Sequence, residues 1–243
     1  MPWYFAIVER EHDLQNPTSA EKIRLLGERM RLGPDSHVLD VASGRGGPAV
    51  LLAASFGCRI TCVERAEDFH AAARARVRDA GLEDRIELVH ADAHAFPLER
   101  ERYDAALCLG ASFVWDGLQG TLEALVPAVR PRGFVAVGEP YWRRWPLPRD
   151  FEPDSGEDYL TLRDTVHAFE RAGLVPVTLI DGSRDDWDRY ETLHWLAAEE
   201  WLEENADDAD AEEIRATVAR YRDRYLRWER ELVGWAIVVG RRP

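Results

Sequence analysis

The chain has 243 residues, of which 46% are hydrophobic and 31% charged, and its formal net charge is −14 at pH 7. This length and composition are typical of a soluble globular protein with one well-cored domain and a modest addition. The acidic excess argues against nucleic acid or an anionic membrane surface as a partner, because both repel negative charge.

The three cysteines, Cys58, Cys62 and Cys108, are an odd and scattered set. Such a set does not form a disulfide framework and favours a reducing compartment. No apolar run is long enough to span a bilayer, and the N-terminus carries acids without a small-residue cleavage site. We therefore expect a cytoplasmic protein that lacks a signal peptide and a membrane anchor.

The chain begins with an arm that we interpret as irregular up to residue 15, followed by a first helix. The helix-start residues Asn16–Ser19 precede an apolar helical stripe, which Gly33-Pro34 ends. The stretch Val38–Gly47 then combines a short apolar run, an acid and a glycine-rich turn, before a helix-compatible run over Pro48–Phe56. This strand–turn–helix is typical of the start of a doubly wound α/β domain, where the turn can approach a ligand.

Strands and helices alternate from this point to Gly173. The predicted strands are residues 37–41, 59–63, 85–89, 103–109, 134–137, 174–180 and 235–239. The predicted helices after the first turn are residues 67–80, 117–129 and 159–172. The alternation favours a parallel sheet with helices on both faces and with ligands at the carboxyl ends of the strands.

A long helical insertion, Asp185 to Leu232, precedes the last strand. The acidic stretch Asn205–Asp208 is predicted to divide it into two helices. Its many aromatic residues either pack these helices onto the sheet and each other, or form a lid over the site near Trp187–Tyr190. The single domain thus comprises an arm and helix (1–33), a core (34–182), a helical insertion (183–232) and the last strand (233–243).

The glycine-rich turn is compatible with two kinds of ligand. A dinucleotide fingerprint, G-x-G-x-x-G, has Ala49 in place of its last glycine here, which is a permitted variant. Asp40 distinguishes the two kinds of ligand better than the glycine spacing does. An acid at the end of the first strand repels a pyrophosphate and favours a cation. S-adenosylmethionine carries a sulfonium and an α-ammonium group and meets this requirement. An NAD(P)-dependent oxidoreductase is the alternative.

Two further acids agree with this interpretation. Glu64 ends the second strand about 20 residues after the loop, where an acid can bind two ribose hydroxyls. Asp92 follows the third strand. Three acids at the ends of three successive strands, all in register with the glycine loop, indicate a binding site more strongly than any one acid does.

The stretch Val38–Gly46 resembles motif I of the class I methyltransferases, with Ala42 where that motif usually has glycine. Later segments resemble the ubiquinone-biosynthesis-type branch of that family, close to the YjhP-like bacterial proteins. These segments are Cys108–Ser112, Gly120–Leu125, Arg130–Phe134, Val137–Trp142, Asp185–Tyr190 and Gly234-Trp235. The resemblance extends from His12 to Val239. It implies a Rossmann-like, seven-stranded, mostly parallel sheet of order 3-2-1-4-5-7-6 with its last strand antiparallel.

The resemblance implies an S-adenosylmethionine-dependent methyltransferase with a small-molecule acceptor, methylated on oxygen or nitrogen. It places Asp92 where these enzymes accept a hydrogen bond from the adenine amino group. The residues expected at the cofactor are Asp40, Ala42, Ser43, Gly44, Gly46, Glu64, Arg65, Asp92, Ala93 and Leu109. A protein that binds the cofactor without turnover is a further alternative.

The acceptor side has no fixed motif, because methyl transfer from a sulfonium requires alignment and exclusion of water, and a base only when the nucleophile holds a proton. Glu139 and Tyr141, after the fifth strand, are the catalytic candidates. Glu139 could orient or deprotonate a nucleophile, or be a salt-bridged loop acid. The residues expected at the acceptor are His12, Ser112, Trp115, Trp142, Trp187 and Tyr190.

Neither a nucleobase-methylating site nor a metal site is expected. The segment Leu109–Ser112 lacks the Asn/Asp-Pro-Pro-aromatic sequence of enzymes that methylate exocyclic amines of nucleobases. His90 and His94 straddle a strand end instead of sharing a helix face, so no metal site is expected there. The cysteines are interpreted as small buried apolar residues.

Overall fold

In the computed structural model, which describes residues 2–154 and 156–243, the chain forms a seven-stranded sheet between layers of helices. The strands are β1 His37–Val41, β2 Arg59–Glu64, β3 Ile86–His90, β4 Tyr103–Leu109, β5 Val129–Trp142, β6 Val175–Asp181 and β7 Val233–Arg241. Their order is β3-β2-β1-β4-β5-β7-β6, with β7 antiparallel to both of its neighbours. The predicted fold class and strand order are confirmed.

The helices of the described chain are α1 Pro2–Val8, α2 Ala20–Arg29, α3 Gly47–Phe56, α4 Glu67–Asp79, α5 Leu118–Leu125, α6 Leu162–Arg171, α7 Arg184–Glu204, α8 Ala211–Arg224 and α9 Arg230–Leu232. The chain also contains 3₁₀ turns at Ser112–Trp115 and Val126–Ala128 and a π-helical turn at Tyr225–Glu229. No helix in the described part of the chain is long and apolar enough to cross a membrane.

The central strands are apolar because side chains on both of their faces are buried. In β4, Leu107 belongs to an apolar cluster with α2 and α3, whereas its neighbour Cys108 belongs to a cluster with α5 and α6. Both side chains are fully buried. This alternation follows from the two-residue period of a strand and places the carboxyl ends of β1, β2 and β4 at one edge, between the two layers.

Several boundaries differ from the sequence prediction for local reasons. Strand β5 extends to Trp142 because its pairing with β7 continues to Val233. Helix α5 ends at Leu125, and a 3₁₀ turn containing Pro127 leads into β5. Helix α6 begins only at Leu162, after the Thr161 side chain caps the N–H of Asp164.

The expectation of an irregular N-terminus is wrong, because Pro2–Val8 forms helix α1. Its residues Tyr4 and Val8 pack against Ala198 of α7 and Ile214 of α8 in an apolar cluster separate from the sheet. The partners of this short helix lie about 190 to 210 positions further along the chain, so the local sequence pattern gives no sign of them. As predicted, the insertion is divided near Asn205, where α7 ends.

Candidate cofactor and acceptor site

The loop between β1 and α3 is a tight turn built from left-handed backbone conformations. Ala42, Gly44 and Gly46 have φ angles of 50°, 55° and 75°, and the Gly46 N–H donates to Ser43 O at 3.0 Å. Ala42 therefore adopts a conformation that glycine adopts without strain, in agreement with the glycine of motif I. The turn leads into the N-terminus of α3, for which Gly46 is the N-cap residue.

Glu64, at the end of β2, holds this loop. Its Oε2 accepts a hydrogen bond from the Gly44 N–H at 2.9 Å, and its Oε1 accepts one from the Ala66 N–H at 2.8 Å. The side chain is only 7% exposed. Because each carboxylate oxygen can accept two hydrogen bonds, Glu64 retains the capacity to accept from a diol.

Asp40, at the end of β1, is a buried acid whose negative charge is not balanced by a cationic side chain in the described part of the chain. It is 2% exposed, and its Oδ2 has no hydrogen-bond partner among the residues that the structure describes. Burial, together with the nearby charge of Glu64, raises the pKa of Asp40 to about 7. A cationic ligand group beside Asp40 would offset the cost of ionising it.

The N-terminal arm packs against two glycines that line the site, Gly44 and Gly110. Asn16 Nδ2 donates to Leu109 O at 3.0 Å, and the Arg45 N–H donates to Gln15 Oε1 at 2.7 Å. A Cβ atom at Gly44 would overlap Gln15, and one at Gly110 would overlap Asn16. These glycines therefore allow the close approach of the arm as well as the turn of the backbone.

A cavity of about 690 Å³ lies at this sheet edge, beneath the arm. It is bordered by the loop after β1, the start of α4, the segment after β4, helix α1 and helix α7. Its lining residues with a charged or aromatic side chain are Phe5, Glu9, Asp13, Asp40, Glu64, Arg65, Glu67, Asp68, Phe69, Phe113 and Tyr190.

Most of the residues expected at the cofactor line this cavity, namely Asp40, Ala42, Ser43, Gly44, Glu64, Arg65 and Leu109. Gly46 instead caps the N-terminus of α3. Asp92 lies outside the lining, where its Oδ1 accepts the His94 N–H at 2.9 Å and its Oδ2 is 3.6 Å from Arg65 Nη1. Ala93 is buried in the apolar cluster that α5 and α6 cover.

Of the residues expected at the acceptor, Tyr190 lines the cavity. His12 instead borders a second cavity of about 380 Å³ on the other side of the arm, and its Nε2 is 2.9 Å from Tyr190 O. Burial lowers the pKa of His12 to about 4, so this ring is neutral at pH 7. Ser112 Oγ donates to Glu139 Oε2 at 3.0 Å.

The structure does not bring the three expected tryptophans to the cavity. Trp115 packs against the cluster around α5, and Trp142 is buried against Phe151. Trp187 lies between the sheet and the insertion, with its ring centroid 6.4 Å from that of Tyr225. Their aromatic surface is used for packing, which a sequence alone does not distinguish from ligand contact.

The two catalytic candidates also lie outside the cavity lining. Tyr141 is 5% exposed and its Oη donates to Asp181 at 2.8 Å, which is a structural link between β5 and β6 and does not support a catalytic role. Glu139 is partly exposed, and burial raises its pKa to about 7. It contacts Ser112, which lies between the lining residues Ala111 and Phe113.

Sequence reasoning did not identify the part of the cavity that helix α1 and the arm supply. Phe5, Ala6 and Glu9 line it from α1 and the turn that follows, and Gln15 and Asn16 line it from the arm. The aromatic run at residues 3–5 is the one sequence feature that could have indicated that this segment packs against the rest of the protein. Its meaning depends on the docking of α1 against α7 and α8, which no local pattern shows.

Comparison with known proteins agrees with this geometry. A family model for a methyltransferase domain matches residues 38–133, which contain the loop, Glu64 and Asp92. The protein YjhP of Escherichia coli (strain K12) is 34% identical over 98% of this chain and 97% of its own length, and its crystal structure superposes with a TM-score of 0.92. The chain therefore belongs to the class I S-adenosylmethionine-dependent methyltransferases, in the YjhP-like branch.

Two solved methyltransferases were crystallised with S-adenosyl-L-homocysteine. The one from Geobacter sulfurreducens is 35% identical, with a TM-score of 0.92 over 99% of this chain and 98% of its own. The one from Thiobacillus denitrificans is 32% identical, with a TM-score of 0.91 over 99% and 98%. S-adenosylmethionine is accordingly the cofactor, and when bound it supplies an activated methyl group on a positively charged sulfur.

The residues at the sheet edge fit this cofactor. Asp40 provides an uncompensated buried acid for a cationic group, and Glu64 provides an acid with free acceptor capacity for ribose hydroxyls. In the described ranges no group of three or more His, Cys, Asp or Glu side chains is placed to hold a metal ion.

Proposed function

We propose that this methyltransferase transfers the methyl group to an oxygen or nitrogen atom of a small-molecule acceptor. The observation that carries the proposal is the continuity of one cavity. It extends from the acids Asp40 and Glu64 to the segment Leu109–Phe113, and on to Glu9 and Tyr190 under the arm. Its volume of about 690 Å³ is in the usual range for small-molecule pockets.

We assign the two ends of the cavity to different parts of the reactants. Asp40 takes the cationic end of the cofactor, Glu64 takes its ribose, and the region of Arg65 and Asp92 takes its adenine. The acceptor lies on the opposite side, between Leu109 and the arm. Because Glu139 contacts Ser112, which is part of the segment after β4, we assign Glu139 a positioning role for that segment.

We also propose that the arm (1–33) and the insertion (183–232) form a cap on the core (34–182), with the last strand (233–243) completing the sheet. This is supported by the contacts of α1 with α7 and by the presence of Tyr190, from α7, in the cavity lining. A cap excludes water from the reacting atoms, which methyl transfer requires.

The charge and cysteine content support two further parts of the proposal. A net charge of −14 disfavours nucleic acid as the acceptor. Cys58, Cys62 and Cys108 are free and buried, which supports a cytoplasmic location.

Transfer of a labelled methyl group tests this function. The protein is incubated with S-adenosylmethionine carrying a labelled methyl group and with a cell extract separated by size into small molecules and macromolecules. We expect label in the small-molecule fraction with the wild-type protein and much less with Asp40→Asn, which weakens cofactor binding. Label only in macromolecules, or label in neither fraction, would contradict the proposal, and the second result would favour a protein that binds the cofactor without turnover.

A further inference from the structure

The carboxylates that line the cavity differ in whether a cationic side chain or solvent stabilises their negative charge. Asp13 Oδ1 is 2.7 Å from Arg76 Nη1, and Glu67 and Asp68 are exposed in the first turn of α4. Asp40 and Glu64 are assigned above to the cofactor. Glu9 is therefore the one carboxylate among the described lining residues that is buried and has neither a cationic partner nor an assigned role.

Glu9 is 8% exposed and receives hydrogen bonds only from neutral groups. Its Oε2 accepts from Gln15 Nε2 at 2.5 Å, and its Oε1 accepts from Tyr190 Oη at 3.3 Å. No residue that the structure describes forms an ion pair with it. Burial raises the pKa of Glu9 above its ordinary value. An ionised carboxylate in this environment is costly unless a cation approaches it, and the open side of Glu9 is the cavity.

The geometry around Glu9 is held by the same arm that contacts the glycine-rich loop. Gln15 donates to Glu9 through Nε2 while its Oε1 accepts the N–H of Arg45. Tyr190 approaches Glu9 from α7. The carboxylate is thus fixed between helix α1, the arm and the insertion.

Aromatic side chains also line the cavity. Phe5 is 48% exposed and Phe113 is 68% exposed, and both line the cavity together with Tyr190. Exposed apolar side chains of this size at a cavity provide a surface on which an apolar ligand can pack. Aromatic rings also attract cations such as ammonium groups. Arg65, which is assigned above to the cofactor, is the only basic side chain in the described lining, so the lining offers no second cationic side chain to an anionic group of the acceptor.

We propose that Glu9 binds the amino group of the acceptor, which makes the acceptor an amine on an apolar or aromatic body, without a carboxylate or phosphate near the nitrogen. The proposal rests on the proposed function, since it names the substrate class of the same site. It narrows the choice between oxygen and nitrogen to nitrogen.

Methylation of an amine that binds as an ammonium ion requires a group that accepts one N–H proton. An ammonium ion has no free electron pair, so one N–H proton passes to a Glu9 oxygen and leaves a neutral amine. The nitrogen pair then forms the N–C bond to the methyl carbon while the C–S bond breaks and sulfur keeps its electron pair. The raised pKa of Glu9 makes it a better proton acceptor than a solvated carboxylate.

Matched probes test the recognition directly by calorimetry. Phenethylamine, 2-phenylethanol and 3-phenylpropionate share one skeleton and differ in the end group, and each is titrated into the full-length protein saturated with S-adenosylhomocysteine. We expect phenethylamine to bind at least tenfold more tightly than the alcohol and the acid to show no binding. Glu9→Gln removes this preference, Glu9→Asp retains part of it, and Glu11→Gln, a change at an exposed neighbour, leaves it intact.

The affinity for S-adenosylhomocysteine alone, measured for each variant, separates the two proposals. Unchanged affinity in Glu9→Gln shows a folded cofactor site, so that loss of the amine preference is assigned to Glu9. Failure of the wild-type protein to bind S-adenosylhomocysteine would overturn the proposed function. Normal binding of it, together with no binding of phenethylamine, equal affinity for the three probes or an unchanged preference in Glu9→Gln, would overturn the amine proposal alone.

Discussion

Glu64 Oε2 accepts the backbone N–H of Gly44 at 2.9 Å, so the acid that ends the second strand is bound to the loop that follows the first. The second oxygen of Glu64 accepts the N–H of Ala66. One side chain therefore fixes the loop and the entry to α4, and the same side chain is assigned to the ribose. The geometry of the cofactor site and the order of the loop depend on a shared carboxylate.

Glu64→Gln should weaken S-adenosylhomocysteine binding by about ten- to a hundredfold, which corresponds to about 1.4–2.8 kcal/mol. The amide nitrogen of glutamine cannot accept a hydrogen bond, so one backbone N–H of the loop or entry turn loses its partner. Isothermal titration calorimetry measures the change. Glu83→Gln, at an exposed turn outside the cavity, serves as the control, and equal affinities for the two variants would refute the role of Glu64.

Asp40→Asn should stabilise the protein without ligand while weakening its binding of S-adenosylhomocysteine. The pKa of Asp40 is about 7 in the folded protein and near its ordinary value of 3.8 when unfolded. Between these pH values the folded state binds the proton more tightly, so the free energy of unfolding falls as the pH rises. The gain from Asp40→Asn is therefore expected to be about 2–4 kcal/mol at pH 8 and smaller at pH 5.

Thermal unfolding of both proteins at pH 5 and pH 8 checks this expectation. A stabilisation by Asp40→Asn that is equal at the two pH values would show that the charge of Asp40 is compensated in the folded protein. Unchanged affinity for S-adenosylhomocysteine would remove Asp40 from the cofactor site.

Gly110→Ala should destabilise the protein by about 1–3 kcal/mol and loosen the arm. Gly110 has φ of 82°, and a Cβ atom there would overlap Asn16, whose side chain donates to Leu109 O. Thermal unfolding gives the stability and limited proteolysis near residue 15 reports on the arm. Gly81→Ala, with φ of 64° and open space around it, is the matched control, because it is strained but contacts no arm residue. Equal proteolysis of the two variants would contradict the tie between arm and loop.

Tyr141→Phe should reduce the free energy of unfolding by about 1 kcal/mol, through loss of the hydrogen bond to Asp181. It should leave S-adenosylhomocysteine binding and methyl transfer unchanged, because Tyr141 lies outside the cavity lining. A large loss of transfer with unchanged stability would restore Tyr141 as a catalytic candidate.

The core of the fold is predictable from sequence because its signals are local. The apolar run of β4, the turn at Gly44–Gly46 and the acids Asp40 and Glu64 each follow from neighbouring residues and from strand ends that meet at one edge. Those signals also predicted seven residues that line the cavity, whereas Gly46, Asp92 and Ala93, which were predicted with them, lie outside the lining.

The part of the cavity that we assign to the acceptor was not predictable in the same way. Helix α1 contributes Phe5 and Glu9 only because it docks on α7 and α8. The roles given to Trp142 and Tyr141 depended on which side of β5 faces the cavity, and their packing against Phe151 and Asp181 is a property of tertiary structure. Burial of an aromatic ring and contact with a ligand have the same sequence signature.

Calorimetric titration of the wild-type protein with S-adenosylhomocysteine and, separately, with NAD⁺ decides which of the two ligands the acids of the sheet edge select. Acids that surround a buried turn should admit the ammonium-bearing ligand and repel a pyrophosphate. We expect saturable one-to-one binding of S-adenosylhomocysteine, which Asp40→Ala and Glu64→Ala abolish in folded protein, and no heat from NAD⁺. Binding of NAD⁺, or binding of S-adenosylhomocysteine that survives both substitutions, would show that Asp40 and Glu64 do not select the cofactor.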